Sequence, residues 1–168
     1  MIETLASPIQ PDSAAGRVLH LIDVENLLAG PSFSRVASAV GRVAYEAVAP
    51  CGAMNQVVIA TSHHAAAEAW FAWPPSARRL VRSGPTGADS ALIEVVATEQ
   101  LERRFDRVVI GSGDGIFAFP AARLQAAGVV VTVVTRRECL SRALRLAVRD
   151  IRFITAVERT ISRGAMVA

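Results

Sequence analysis

Three aspartates stand at points where a strand gives way to a loop or helix: Asp23 in LIDVEN, Asp89 in GPTGADS and Asp114 in GSGDG. Carboxylates held within about 4–6 Å of one another repel, and ionising all of them is unfavourable unless a cation intervenes. A hard divalent ion such as Mg2+ or Mn2+ takes oxygen ligands and needs only one or two protein carboxylates plus water. Such an ion can generate hydroxide and clamp a phosphodiester through its transition state. The small residues Gly111, Ser112, Gly113 and Gly115 leave Asp114 uncovered and allow a phosphate backbone to come close. Asn26 is placed to hold Asp23 or a substrate through its amide, and Ser112 to orient a water or ligand. Each residue also has a plainer role. Asp89 and Asp114 are natural helix N-caps, Asp23 and Asn26 suit turns, and Ser112 is a small turn residue. The metal reading requires the three carboxyl carbons to gather within roughly 10 Å.

The elements that must position these acids alternate along the chain. Strands are predicted over residues 17–23, 55–62, 78–83, 107–113 and 129–135, and helices over 32–48, 64–73, 89–105, 117–128 and 139–150, with RFIT after the last one extended or helical. In the helix over 32–48, Phe33, Val36, Val40, Val43 and Ala47 fall on one apolar face. The second, fourth and fifth strands are near-continuous aliphatic runs, the mark of burial on both faces. Strand–helix alternation implies right-handed crossovers and a parallel sheet, hence a three-layer α/β fold. In such a sheet the site lies outside the carboxyl ends of the strands, at the switch in strand order, which is where the three aspartates fall. Residues 1–16 read as a flexible tail, 17–155 as one domain, and 156–168 as a C-terminal helix or tail.

Composition fits one globular domain: 168 residues, 52% hydrophobic and 20% charged, with no apolar stretch long enough to span a bilayer. The first residues lack a basic start followed by an apolar block, and Cys51 and Cys139 stand far apart, so reduced thiols in a cytoplasmic protein are expected. All 18 basic residues are arginine, a bias that a GC-rich, bacterial type of genome accounts for. Arginine offers a planar fork suited to phosphate oxygens. The formal charge of +3 permits nucleic-acid binding without establishing it.

With these residues in place the sequence resembles the NYN domain family, a branch of the PIN-like nucleases. The resemblance is carried by LIDVENL (21–27), GADSALIEVV (87–96), VVIGSGDGIFAFPAARLQAAGVVVTVV (108–134) and SRALRLAVRDIRFI (141–154). It implies a PIN-like, Rossmann-like five-stranded parallel sheet of order 3-2-1-4-5 and divalent-metal-dependent cleavage of RNA. It also puts Asp23, Asn26, Asp89 and Asp114 in the site. Two positions depart from the family pattern: Ile116 stands where a second acid follows in S-G-D-x-D-F, and Val95 where the helix often carries another acid. Glu94 is the adjacent carboxylate and a candidate supporting residue. The retained set suits one Mg2+ or Mn2+ rather than two. The alternative is an RNA-binding or interaction module of NYN type with weak or no catalysis. A phosphatase with Asp23 as nucleophile would want a lysine near the phosphate, and the chain has none.

For the RNA backbone the candidates are Arg136 and Arg137, after the fifth strand, Arg142 in the last helix, and His63, after the second strand. Arg142, Arg145, Arg149 and Arg152 recur at helical spacing and form a basic stripe if the helix runs that far. Trp70, Phe71 and Trp73 read as a hydrophobic lid or core edge, with base stacking as the alternative. The reading leaves room for a homodimer and for no membrane partner.

Overall fold

The protein is described by a computed structural model over residues 16–28 and 34–155. The expected tail and C-terminal segment lie outside the described residues, except for Gly16. Six strands are present among the described residues: β1 (Val18–Asp23), β2 (Gln56–Thr61), β3 (Arg78–Val81), β4 (Arg107–Gly111), β5 (Val130–Thr135) and β6 (Asp150–Phe153). They form one sheet in the order β3-β2-β1-β4-β5-β6, and every adjacent pair is parallel. The connections carry the helices α1 (Val24–Leu28), α2 (Arg35–Val48), α3 (Ala66–Ala72), α4 (Gly87–Thr98), α5 (Leu101–Arg104), α6 (Ala118–Ala126) and α7 (Arg142–Ala147).

Alternation along β1 divides the core into two. Leu19 and Leu21 join Val108, Ile110, Val131 and Val133 beneath α4, α6 and α7, where Leu92, Val96, Leu124 and Leu144 complete the layer. Ile22, Ile59, Val109 and Val134 face the other way, against Ala44, Tyr45, Ala69 and Trp73 of the α2–α3 side. By the same period-two rule, Asp23 points to the α4 side.

The sheet has six strands where five were expected. The predicted helix over 139–150 ends at Ala147, and 150–153 forms β6 on β5. The basic stripe is therefore broken. Arg142 and Arg145 lie on α7, but Arg152 lies on the strand, paired with Asp150 and donating from Nη1 to the Val48 carbonyl at 2.8 Å. The helix expected over 89–105 is two helices, parted at Gln100, whose φ of 48° lies in the left-handed region. On α2 the buried face is Ser38, Gly41, Ala44 and Tyr45, while Val36 and Val43 are exposed, so the apolar face read from the sequence is not the packed one. Gly41 decides this: a methyl there would lie 2.1 Å from Leu28 Cδ2, so the glycine face is the one that closes on α1.

Tyr45 enters a buried polar knot. His20 Nδ1 is 2.9 Å from its hydroxyl, and the Asn55 amide donates to His20 Nε2 at 3.2 Å. The Trp73 ring meets Tyr45 edge-on, whereas Phe71 and Trp70 are stacked by Arg35 and Arg79 on the outside. Burial lowers the His20 pKa from 6.5 to about 4. The unfolded chain then takes up a proton that the folded chain refuses, so His20 stabilises fully above pH 6.5 and loses that contribution, about 3 kcal/mol, as pH falls towards 4. Urea unfolding of wild type and His20→Gln should show the difference between them shrinking through that window.

Candidate active site

The carboxyl ends of β1 and β4 are neighbours: Ile22 lies opposite Gly111 in the register. Strand order reverses between them, the place where open parallel sheets form their ligand crevice. Asp23, last in β1, is buried. Its Oδ1 accepts from the backbone N–H groups of Glu25 and Asn26, both at 3.1 Å, which starts α1. The turn-forming role foreseen for Asp23 is thus present, on one oxygen.

Asp89 comes from the first turn of α4, which begins at Gly87 rather than at Asp89 itself. The helix can start there because Gly87 has no side chain; a methyl would lie 2.0 Å from the Arg82 carbonyl oxygen. Asp89 is buried and does not cap its helix. It is hydrogen-bonded instead to Asp23. Burial, that hydrogen bond and the Asp89 charge push the Asp23 pKa up to about 8, and burial raises Asp89 as well. Two buried carboxyl groups that touch share a proton in place of two charges. Asp89 Oδ1 is left buried without a hydrogen-bond partner.

Asp114 lies on the loop after β4, half-buried. Its Oδ1 accepts from Ile116 N at 2.9 Å and so caps a short 3-10 turn, Gly115–Phe117. Its charge still adds to the upward shift of Asp89. Ser112 is buried, and its Oγ accepts from Asp114 N at 3.2 Å. Asn26 Oδ1 accepts from Gly113 N at 2.8 Å, tying α1 to the β4 loop. On the other side of that loop Gly113 O accepts from Ser141 N at 2.8 Å. A methyl at Gly113 would lie 2.3 Å from Cys139 O and 2.6 Å from Thr135 Oγ1. Gly113→Ala is expected to lower stability by about 1–3 kcal/mol, read as a fall in the urea midpoint at unchanged slope.

Glu25, which sequence reasoning missed, belongs to this crevice. Its Oε1 accepts from Ser62 N at 3.1 Å, from Thr61 Oγ1 at 3.4 Å and from Ser62 Oγ, so it bridges α1 to the end of β2. Its charge raises both Asp23 and Asp89. The signal available in the sequence was a second acid two residues past the strand-end one.

The remaining candidates scatter. Glu94 is a correction: it lies on the exposed face of α4 and pairs with Arg82, because one residue beyond the buried face a helix has turned by about 100°. Val95, on that buried face, is part of the core. Arg136 donates from Nε to the Leu27 carbonyl at 2.7 Å and its side chain is only 16% exposed, so its first duty is to hold α1. Arg137 is exposed and stacks on Phe153. Arg142 is exposed at the start of α7, next to Ser141, whose side chain caps that helix. His63 is exposed just past β2 and is hydrogen-bonded to Ser83. Cys51 and Cys139 are free thiols.

Among the described residues no three His, Cys, Asp or Glu side chains gather as a ready metal site. The expected trio is a touching pair, Asp23 and Asp89, with Asp114 and Glu25 as neighbouring charges. The donor chemistry nonetheless suits a hard cation: only oxygens are offered, one of them is a buried orphan, and the neighbouring carboxylates oppose each other's charge.

A parallel sheet of this order, with acids beyond its carboxyl ends at the switch point, is a doubly wound α/β fold. The NYN domain model matches residues 17–157, and the chain belongs to that nuclease-type family. Among solved structures it is similar to a Vibrio parahaemolyticus RIMD 2210633 protein of unknown function, VPA0982, at 18% identity and a TM-score of 0.56, over 87% of this chain and 96% of that one. That likeness is one of fold. No curated protein matches the chain. Among the described residues no helix is long and apolar enough to cross a membrane.

Proposed function

We propose that this protein is a divalent-metal-dependent ribonuclease that cleaves RNA phosphodiester bonds at the Asp23–Asp89 crevice. The observation that carries the reading is the buried carboxyl pair with its orphaned Asp89 oxygen, in a chain of a nuclease-type family. Asp23 and Asp89 would hold one Mg2+ or Mn2+, with Asp114 as the nearby third acid. Bound there, the ion supplies a Lewis acid for the phosphoryl oxygens and a more acidic water. The rest is done by the chain itself. Asn26 and Ser112 fix the loop that carries Asp114 by accepting from the Gly113 and Asp114 backbone N–H groups. Glycines at 111 and 113 let that loop pack closely against Tyr45 on one side and the Cys139 carbonyl on the other, which fixes its path. The exposed Arg137 and Arg142 supply guanidinium groups for the phosphates on either side of the scissile one, and His63 a further polar contact.

A second reading has its own support. Ile116 is exposed, Val95 is buried, and Asp114 is engaged as a cap, so acidity at the site is reduced. That arrangement suits an RNA-binding module with little or no catalysis. Incubating the full chain with labelled RNA in Mn2+ or EDTA separates the two. Cutting in Mn2+ alone, reduced roughly 10–100-fold in Asp114→Asn, is the expected result. RNA bound but never cut would leave the binding module.

A further inference from the structure

Glu25 follows Asp23 by two residues in the first turn of α1, and its half-buried side chain is only half satisfied. Three donors from the end of β2 converge on Oε1. Among the described residues Oε2 takes no protein donor. Asp89, more than nine-tenths buried, likewise keeps Oδ1 without a partner. Asp89 Oδ1 thus departs from the general pairing of buried polar atoms, and Glu25 Oε2, on a half-buried side chain, is left free of protein donors beside it. If Glu25 served only to tether α1 to β2, its amide counterpart would do as well, because Gln also presents an Oε1 acceptor. What Gln lacks is the charge.

We infer that Glu25 is a positioning residue of the acidic site: the end of β2 fixes the side chain through Oε1, and the charge left on the carboxylate strengthens the hold of Asp23 and Asp89 on a divalent cation. This rests on the proposed function and assigns it a residue that compensates for the uncharged Val95 and Ile116. The sharing of labour is chemically ordinary, since a carboxylate can take several N–H or O–H donors and still attract a cation or its hydration water.

The test is Mn2+ binding by the full-length protein, followed through the electron paramagnetic resonance signal of free Mn2+, with unfolding in EDTA as the control on folding. Wild type should bind, and Glu25→Gln should bind about tenfold more weakly with an unchanged unfolding midpoint in EDTA. Equal affinity of the two overturns the inference while the metal reading stands. No binding by wild type overturns the metal reading, and the inference with it. Should Glu25→Gln fail to fold, Ser62→Ala decides, since it keeps the charge and removes one tether. Affinity lower by about threefold supports the inference, and unchanged affinity overturns it.

Discussion

Asp23→Asn should be inactive on RNA and more stable than wild type. Activity is expected to fall by more than about a hundredfold, beyond the range typical of residues that only orient a ligand. Stability moves the other way because the wild-type carboxyl group is out of place in the folded protein: burial and the touching Asp89 oppose its charge. An amide at position 23 has no charge to suppress and can still donate to Asp89. At pH 8 the gain should be at least about 3 kcal/mol, or roughly 10 °C or more in Tm for a chain of this size. Calorimetry of both proteins in EDTA, beside a cleavage assay in Mn2+, reads both effects. A variant that loses activity and stability together would mean that Asp23 is held mainly for its cap on α1.

The second large effect is a coupling between pH, cations and stability. For Asp23 the folded pKa, about 8, lies above the ordinary 3.8. The folded chain therefore keeps a proton that the unfolded chain has lost, and stability present below pH 4 drains away as pH rises to 8. His20 has the opposite slope between pH 4 and 6.5. The two nearly cancel there, which leaves a net loss of about 2 kcal/mol confined to pH 6.5–8. A divalent cation displaces the shared proton, so its stabilising effect should grow with pH. Mn2+ at about a hundred times its Kd should add close to 3 kcal/mol at pH 8 and far less at pH 6. Thermal scans with and without Mn2+ across this range test the idea, and an equal shift at both pH values would count against a cation at the carboxyl pair.

The sequence made the architecture readable because buried parallel strands are aliphatic on both faces: VVIA, RVVIG and VVVTVV could be little else. The strand it hid, β6, reads DIRF, and its arginine fell at a spacing that also suits a helix. Only the pairing of Arg152 with Asp150 and the Val48 carbonyl shows why a charged residue tolerates that strand. The α2 face was misread for a related reason. Valines mark an apolar stripe, but close packing on Leu28 needed Gly41, and a glycine carries no hydrophobic signal. At the candidate site, Asp23 and Asp114 were legible as acids just where strands end, and Asn26 and Asp89 as polar residues in the first turns of the helices that follow. Glu25 was not, since its role depends on Ser62, far along the chain, and nothing local announces that bond.

Among the described residues the sheet ends in two strands of four residues, β3 and β6, and both are armed with charge: Arg78 and Arg79 on one, Asp150 and Arg152 on the other. An open strand edge is a template on which a neighbouring molecule can continue the sheet, and short charged edges oppose that growth. Among the described residues the two edges of the sheet are thus of the kind that opposes joining strand to strand.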